Sequence, residues 1–107
     1  MLKSKCMART LTASEALSWY FKRRPAFVKN ICWHVATAGS QWGTTRQRHA
    51  ESALETMAEP ARVNAFLLQH ADALALDTTT RAALENDATE MHAYAARMRT
   101  YLANSWA

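Results

Sequence analysis

Side chains able to bind a metal ion are scattered along this sequence. The histidines His34, His49, His70 and His92 stand at least 15 residues apart, and the two cysteines form no C-x-x-C pair. A metal site needs several ligands within about 2 Å of one ion, and no spacing here brings ligands together. We therefore predict no metal site, and we interpret His70, on an apolar helix face, as a core histidine hydrogen-bonded to a carbonyl group.

Motifs for covalent or phosphate chemistry are also missing. The sequence has no G-x-S-x-G, P-loop or G-x-G-x-x-G pattern, and two glycines are too few for the usual phosphate-binding loops. The carboxylates Glu51, Glu55 and Glu59 follow at intervals of four, opposite the apolar side of their predicted helix. Such a row is typical of a solvated face, whereas an acid–base catalyst needs burial to shift its pKa. We predict no catalytic residue, no cofactor and no enzymatic activity.

Charge is divided unevenly between the two halves of the chain. Residues 1–50 contain nine Lys/Arg and the single acid Glu15, a net +8, whereas residues 51–107 carry a net −4. This asymmetry predicts either an anionic partner for the first half or complementary packing between halves or between copies, so a homodimer stays open. Two cysteines are too few for a disulfide scaffold, and we expect Cys6 and Cys32 to be reduced.

Aromatic and basic residues are concentrated in residues 19–34, WYFKRRPAFVKNICWH, which contain no acid. Helical spacing places Trp19 and Trp33 on polar helix sides, Trp42 lies in a loop between the two glycines, and Trp106 is the penultimate residue. Tryptophan is enriched at binding hot spots because it buries a large area and keeps a hydrogen-bond donor. The predicted partner-binding residues are Trp19, Lys22, Arg23, Arg24, Lys29, Trp33, Trp42, Arg46, Arg48 and Trp106.

The composition predicts an all-α protein. Alanine accounts for 22 of the 107 residues, whereas there are three valines and one isoleucine. Alanine loses no side-chain entropy in a helix, and strands favour β-branched residues. We expect one domain, a bundle of four to five helices over residues 12–107, preceded by a basic segment over residues 1–11.

Caps and breaks suggest the helix boundaries. We predict helices over 13–24, 26–38, 45–58 and 61–75, followed by a longer C-terminal helix. Helical spacing places Phe21 on the core face of the first helix, and Phe27, Ile31 and Val35 on that of the second. Capping boxes at Thr12–Glu15 and Thr44–Gln47 would begin two of these helices, and Asp77 would cap the last. Pro25 and Glu59-Pro60 would separate neighbouring helices, with Gly39 as a C-terminal cap.

The C-terminal helix carries a heptad pattern. Its apolar positions follow at intervals of 4, 3, 4, 3 and 4, and they are Leu84, Ala88, Met91, Ala95, Met98 and Leu102. Such a seam packs against another helix. A second cap at Asp87–Glu90 would break the helix near Asn86.

These observations favour a non-catalytic helical protein that binds other proteins, as an accessory or assembly subunit of a larger complex. The first fourteen residues lack acids and contain three cations, which is typical of a mitochondrial presequence, with the cytoplasm as the alternative location. No run of about 18 apolar residues predicts a membrane span, although helix one could contact a membrane surface.

Two other functions fit the same residues. A nucleic-acid-binding protein would place Lys22, Arg23 and Arg24 along a phosphate backbone and stack a tryptophan on bases. A helix-turn-helix pattern over residues 67–86 is incomplete, and its recognition helix would be acidic. A small inhibitor of a host enzyme would need only an exposed binding face.

Overall fold

The computed structural model describes residues 12–104, which form three α-helices joined by two connections. Helix α1 spans Ala13–Ser40, α2 spans Gly43–Gln69 and α3 spans Thr78–Ala103. The predicted all-α class is confirmed. The predicted count of four to five helices is not confirmed, because two pairs of predicted helices each form one continuous helix. The basic segment predicted over residues 1–11 lies outside the described residues.

Both prolines lie inside helices instead of ending them. Pro25 is in the middle of α1 and Pro60 is in α2. A proline in a helix interior removes one backbone hydrogen bond and costs about 3 kcal/mol. That cost is offset by burial, since Tyr20 and Phe27 on either side of Pro25 are in the core and Pro60 is itself buried. The predicted breaks at these prolines are therefore wrong, because tertiary packing outweighs a local preference.

Two of the predicted caps are confirmed. The Thr12 hydroxyl accepts a hydrogen bond from the Glu15 backbone N–H at 3.1 Å, and the Glu15 carboxylate accepts one from the Thr12 N–H at 3.0 Å. At the start of α3, the Asp77 carboxylate accepts from the Thr80 N–H at 2.7 Å. These side chains satisfy amides that a helix start leaves without intrahelical partners.

Helix α2 begins differently from the prediction. Its N-cap is Trp42, which makes no side-chain capping bond, and its first helical residue is Gly43. Gly43 has a φ of 65°, in the left-handed region that costs other residues about 1–2 kcal/mol. The chain therefore turns at this glycine, and the capping box predicted at Thr44 is not used.

Gly39 has a packing role instead of the predicted capping role. The helix continues through Ser40 and its C-cap is Gln41. A Cβ atom at position 39 would lie 3.2 Å from Arg97 Nη2 and 3.7 Å from the Tyr101 hydroxyl, both on α3. The missing side chain thus gives room to the end of α3.

Helix α2 lies between the other two helices and packs extensively against both, whereas the α1 and α3 backbones come close at few positions. The core consists of one stripe from each helix, and its buried apolar residues are Ala16, Tyr20, Phe27, Ile31, Val35, Ala38, Ala50, Ala53, Met57, Leu67, Leu84, Met91 and Met98. Phe21, predicted on the core face of α1, is instead 36% exposed. Phe21 directly follows the buried Tyr20, so its side chain is rotated by about 100° around the helix axis, away from the buried stripe.

Helix α3 is continuous through Asn86, so the predicted break there is wrong. Asp87 does not cap a helix, because it lies in the helix interior and is only 4% exposed. The predicted heptad seam is not confirmed as one buried stripe. Leu84, Met91 and Met98 are buried, whereas the alanines between them, Ala88 and Ala95, are half-buried.

Candidate functional site

Four polar side chains from all three helices meet inside the bundle, and we call them the interior node: Tyr20, Arg24, Asn64 and Asp87. The Tyr20 hydroxyl donates to Asp87 Oδ2 at 2.7 Å and accepts from Asn64 Nδ2 at 3.0 Å. Arg24 donates to both carboxylate oxygens of Asp87 at 2.7 Å, from Nε and from Nη2. Asn64 also donates to the Leu84 carbonyl oxygen at 2.9 Å.

The protonation states of the interior node follow from these bonds. Burial disfavours the charged form of Asp87, but the hydrogen bonds from Arg24 and Tyr20 and the charge of Arg24 outweigh burial, so the pKa of Asp87 is below its usual 3.8. Burial and the neighbouring Asp87 raise the pKa of Tyr20, against an opposing hydrogen bond from Asn64. The bond to Asp87 likewise raises the pKa of Arg24. At neutral pH the node therefore contains a carboxylate, a guanidinium and a neutral phenol.

The hydrogen bonds of the interior node link all three helices. The hydroxyl of Tyr20 both donates and accepts, and the two donor bonds of Asn64 use both hydrogens of its amide nitrogen. A bidentate Arg–carboxylate pair is geometrically specific. The node thus sets how α1, α2 and α3 align.

Sequence reasoning missed this cluster, although a signal for it exists. Asn64 interrupts the buried stripe of α2 between Pro60 and Leu67. Asp87 likewise interrupts the stripe of α3 between Leu84 and Met91. A polar residue on an otherwise apolar stripe must find a hydrogen-bond partner when it is buried, so the pattern predicts partners for Asn64 and Asp87.

The partner-binding residues predicted on α1 divide between the interior and the surface. Arg24 belongs to the interior node, although its side chain keeps 37% exposure. Lys22, Arg23 and Lys29 are exposed, and the structure gives none of them an acidic partner within the described residues. The Arg23 guanidinium lies 5.5 Å from the centroid of the half-buried Trp19 ring.

One side of α1 faces away from the bundle along most of its length, and we call it the outer face of α1; Trp19 at its start is half-buried and packs against the core. Trp19, Lys22, Ala26, Lys29 and Trp33 follow at intervals of 3, 4, 3 and 4, which places them on a common side of a helix. Trp33 is 58% exposed. The predicted position of Trp33 on a polar side of its helix therefore agrees with the structure.

Trp33 lies over a pair of histidines that the sequence analysis treated as separate. His34 of α1 and His49 of α2 bring their Nδ1 atoms to 3.2 Å, and the Trp33 ring meets both imidazoles edge-on, with centroids 4.9 and 5.1 Å apart. Burial and the neighbouring His49 lower the pKa of His34. This pair ties the ends of α1 and α2 beneath the exposed indole.

Among the described residues, no third metal ligand lies beside the histidine pair. Within residues 12–104, no group of three or more His, Cys, Asp or Glu side chains is arranged to hold a metal ion. Cys32 of α1 is an exposed free thiol. The Nδ1 of His70 lies 2.9 Å from the Phe66 carbonyl oxygen, which is the predicted contact, but His70 is half-buried at the end of α2 and is not in the core.

The partner-binding residues predicted near the start of α2 differ in how exposed they are. Trp42 is 76% exposed, and Arg48 is exposed on α2. Arg46 is used inside the protein, because its Nε donates to the Ala38 carbonyl oxygen at 3.0 Å and its guanidinium lies 4.4 Å from the Tyr101 ring centroid. It thus joins the end of α1 to the end of α3. Trp106 lies outside the described residues.

Comparison with protein-family models, curated proteins and solved structures finds no match to this chain. What the protein does must therefore be inferred from its own geometry. No helix within residues 12–104 combines the length and apolar character needed to cross a bilayer.

Proposed function

We propose that this protein is a non-catalytic docking protein, an accessory or assembly subunit that binds an acidic surface of another protein through the outer face of α1. The observation that carries the proposal is Trp33, a 58% exposed indole on a rigid helix beside exposed lysines. Burying such a ring against a partner would release its apolar surface from water, which is the usual source of hot-spot energy.

The charge of the outer face favours an acidic partner. Lys22 and Lys29 lie seven residues apart, about 10 Å along the helix axis, with Trp33 four residues further. Neither lysine has an acidic partner among the described residues. Carboxylates on a partner would be attracted to this face before contact, which speeds association and orients the complex.

The interior node makes this face a preformed binding surface. Tyr20 and Arg24 hold α1 against α3 within a turn of Lys22, and the His34–His49 pair holds α1 against α2 below Trp33. A surface that is already ordered loses little conformational entropy on binding. The acid-free first fourteen residues make a mitochondrial complex the most specific version of the proposal.

Nucleic acid is the second candidate partner, and the exposed cations Lys22, Arg23 and Lys29 favour it. These cations could contact successive phosphates while Trp33 stacks on a base. This candidate predicts an affinity that falls steeply with salt. Charge reversal at Lys22 and Arg23 would weaken binding to all sequences alike.

Affinity purification of the tagged protein from its native cells, with and without nuclease, separates the two candidates. We expect a fixed set of proteins that survives nuclease treatment and is recovered in stoichiometric amounts. Loss of all partners after nuclease would make nucleic acid the answer. Loss of a captured enzyme's activity on mixing would identify an inhibitor instead of a subunit.

Trp33→Ala tests the surface itself, and Phe21→Ala is its matched control. Phe21 is an exposed aromatic residue of the same helix, about a third of a turn away from Trp33 around the axis. We expect Trp33→Ala to reduce recovery of the partners at least about tenfold, a loss of about 1.4 kcal/mol. Equal losses from both variants, or none from Trp33→Ala, would contradict docking through the outer face.

A further inference from the structure

The fold brings together two metal-binding side chains that are separate in the sequence, His34 of α1 and His49 of α2. His34 lies six residues before Ser40, the last residue of α1, and His49 lies six residues after Gly43, the first residue of α2. Helices joined by a short connection form an antiparallel hairpin. Residues equally far from the turn of such a hairpin lie at the same level. The tertiary structure thus supplies a proximity that no spacing along the chain predicted.

The separation of the two nitrogens suits a single metal ion. The Nδ1 atoms of His34 and His49 are 3.2 Å apart. A tetrahedral Zn²⁺ ion with Zn–N bonds of about 2.0–2.1 Å holds two nitrogens about 3.3–3.4 Å apart. Imidazole nitrogens suit Zn²⁺, whereas Mg²⁺ and Ca²⁺ prefer oxygen ligands. Two imidazoles at this separation therefore select the class of cation as well as fitting its size.

Binding an ion requires a change in the protons of the histidine pair. In the neutral pair, one Nδ1 carries a proton and donates it to the lone pair of the other Nδ1. Zn²⁺ needs a lone pair on both nitrogens, so the donor imidazole transfers its proton from Nδ1 to its own Nε2 through water. Both rings then turn until their lone pairs converge on the ion. Two Zn–N bonds replace one hydrogen bond, and both imidazoles stay neutral.

Protons compete weakly with a metal ion for His34 at neutral pH. Burial and the neighbouring His49 lower the pKa of His34 below its ordinary 6.5. Metal ions bind the neutral form of imidazole, so a lowered pKa leaves more of the side chain ready to bind. The state of His34 at pH 7 is therefore the one that a metal site needs.

The histidine pair is open to solvent on one side. Both imidazoles are half-buried, and the Trp33 ring contacts both of them, with centroids 4.9 and 5.1 Å apart. Within residues 12–104 no third protein ligand joins the pair. Water would therefore occupy the remaining positions of a four-coordinate ion. With two protein ligands, we expect a dissociation constant in the micromolar range.

We propose that the histidine pair is a zinc-binding site, in which Nδ1 of His34 and Nδ1 of His49 bind one Zn²⁺ ion and water completes its coordination. The ion cross-links α1 and α2 about 9 Å from their turn. It thereby stabilises the hairpin that presents Trp33. The site is formed by this chain alone, so the inference does not depend on a partner for the outer face of α1.

Calorimetric titration of the full, untagged chain with Zn²⁺ tests the proposal. Cys6→Ser and Cys32→Ser are introduced first, because thiolates also bind Zn²⁺. We expect one ion per chain and a dissociation constant below about 100 µM. A ligand that binds only the folded state stabilises it, so about 1 mM Zn²⁺ should raise the unfolding midpoint by about 4 °C or more. Mg²⁺ at the same concentration is the control ion and should do neither.

Three substitutions locate the ion. His34→Gln and His49→Gln should each weaken zinc binding at least about tenfold. His92→Gln is the matched control, because His92 is an exposed histidine of α3 outside the pair, and it should leave the affinity unchanged. Circular dichroism checks that each variant is folded.

Nitrogen NMR spectra of the histidine rings identify the bound atoms without removing either ligand. Zn²⁺ should shift the Nδ1 signals of His34 and His49 and leave a proton on each Nε2. This measurement decides the question even if His34→Gln fails to fold.

Three results would overturn the proposal. One is the absence of saturable zinc binding up to about 1 mM. Another is an affinity that His92→Gln reduces as much as His34→Gln does. The third is a set of zinc-induced NMR shifts confined to His70 and His92, because the ion would then be bound outside the histidine pair.

Discussion

The interior node and the outer face of α1 contain the same kinds of residue and use them differently. Both combine aromatic rings with cations, and residues 19–34 supply the aromatic rings and cations of both. In the node, Arg24 and Tyr20 find partners on α2 and α3. On the outer face, the side chains of Lys29 and Trp33 have no partners of comparable strength within residues 12–104 and remain exposed.

The difference lies in the direction of each side chain. Arg23 and Arg24 show this, because they are neighbours in sequence but lie on different sides of the helix. A step of one residue rotates a side chain by about 100° around the helix. Arg23 therefore lies over Trp19 at the surface, while Arg24 reaches Asp87. A basic aromatic-rich stretch can thus be part structural and part available for binding, and substitutions should separate the two parts.

Asp87→Ala should have the largest effect on stability. It leaves the Arg24 guanidinium without its carboxylate and the Tyr20 hydroxyl without its acceptor. We expect the free energy of unfolding in urea to fall by about 2–3 kcal/mol, less than for a fully buried pair because Arg24 is 37% exposed. The control Glu85→Ala, at an exposed acid of α3, should change the free energy of unfolding by no more than about 0.5 kcal/mol. An equally small change for Asp87→Ala would contradict a structural role of the interior node.

Tyr20→Phe should have the next largest effect on stability. The ring stays in the core, but Asn64 Nδ2 loses an acceptor and Asp87 loses a donor. Leaving buried polar groups unpaired costs about 1–3 kcal/mol, which thermal or urea unfolding would measure. Tyr101→Phe is the matched control, because its hydroxyl makes a single 3.4 Å contact with Arg97, and we expect it to cost clearly less.

Trp33→Ala should reduce stability by no more than about 1 kcal/mol. The indole is 58% exposed, and what it loses is edge-on contact with His34 and His49. Urea unfolding of the purified variant is the measurement. A loss above about 2 kcal/mol would place Trp33 in the core and remove the contrast with the interior node.

The smallest effect on stability should come from lowering the pH through the range in which His34 binds a proton. Because the pKa of His34 is lowered in the folded protein, the unfolded chain binds more protons near its ordinary value of 6.5. Stability should therefore be complete above that value and decrease as the pH falls below it. Unfolding midpoints measured between about pH 7 and pH 5 should show a slope that His34→Gln reduces and His92→Gln preserves.

The interior node responds in a different pH range. The pKa of Asp87 is lowered from 3.8, so its contribution to stability is complete above that value and is lost as the pH falls through the lower folded pKa. In Asp87→Ala the acid-induced loss below about pH 4 should shrink, while the loss near pH 6 persists. If Asp87→Ala lost as much stability below about pH 4 as the unsubstituted protein, protonation of Asp87 would not contribute to acid unfolding.

Parts of this structure were predictable from local signals. The capping residues Thr12 and Asp77 marked the starts of α1 and α3 because a cap requires only residues within one turn. The buried stripe Phe27, Ile31 and Val35 followed from helical periodicity. Both signals are complete within a short segment of chain.

Other parts were not predictable because they depend on distant residues. Pro25 and Pro60 look like helix ends until the packing that offsets their cost is known. Asp87 looked like a cap because Tyr20 lies 67 residues away, and the contact of His34 with His49 depends on how α1 and α2 pack.

The sequence by itself therefore determined the helical class, two helix starts, the apolar stripes and the excess positive charge of the first half. These properties depend on propensities and on spacing along one helix. Only the tertiary structure decided the number of helices, the partners of Arg24 and Asp87, and which aromatic and basic side chains remain exposed. The physical reason is that these outcomes depend on free energies of contact between helices, which outweigh local preferences of a few kcal/mol.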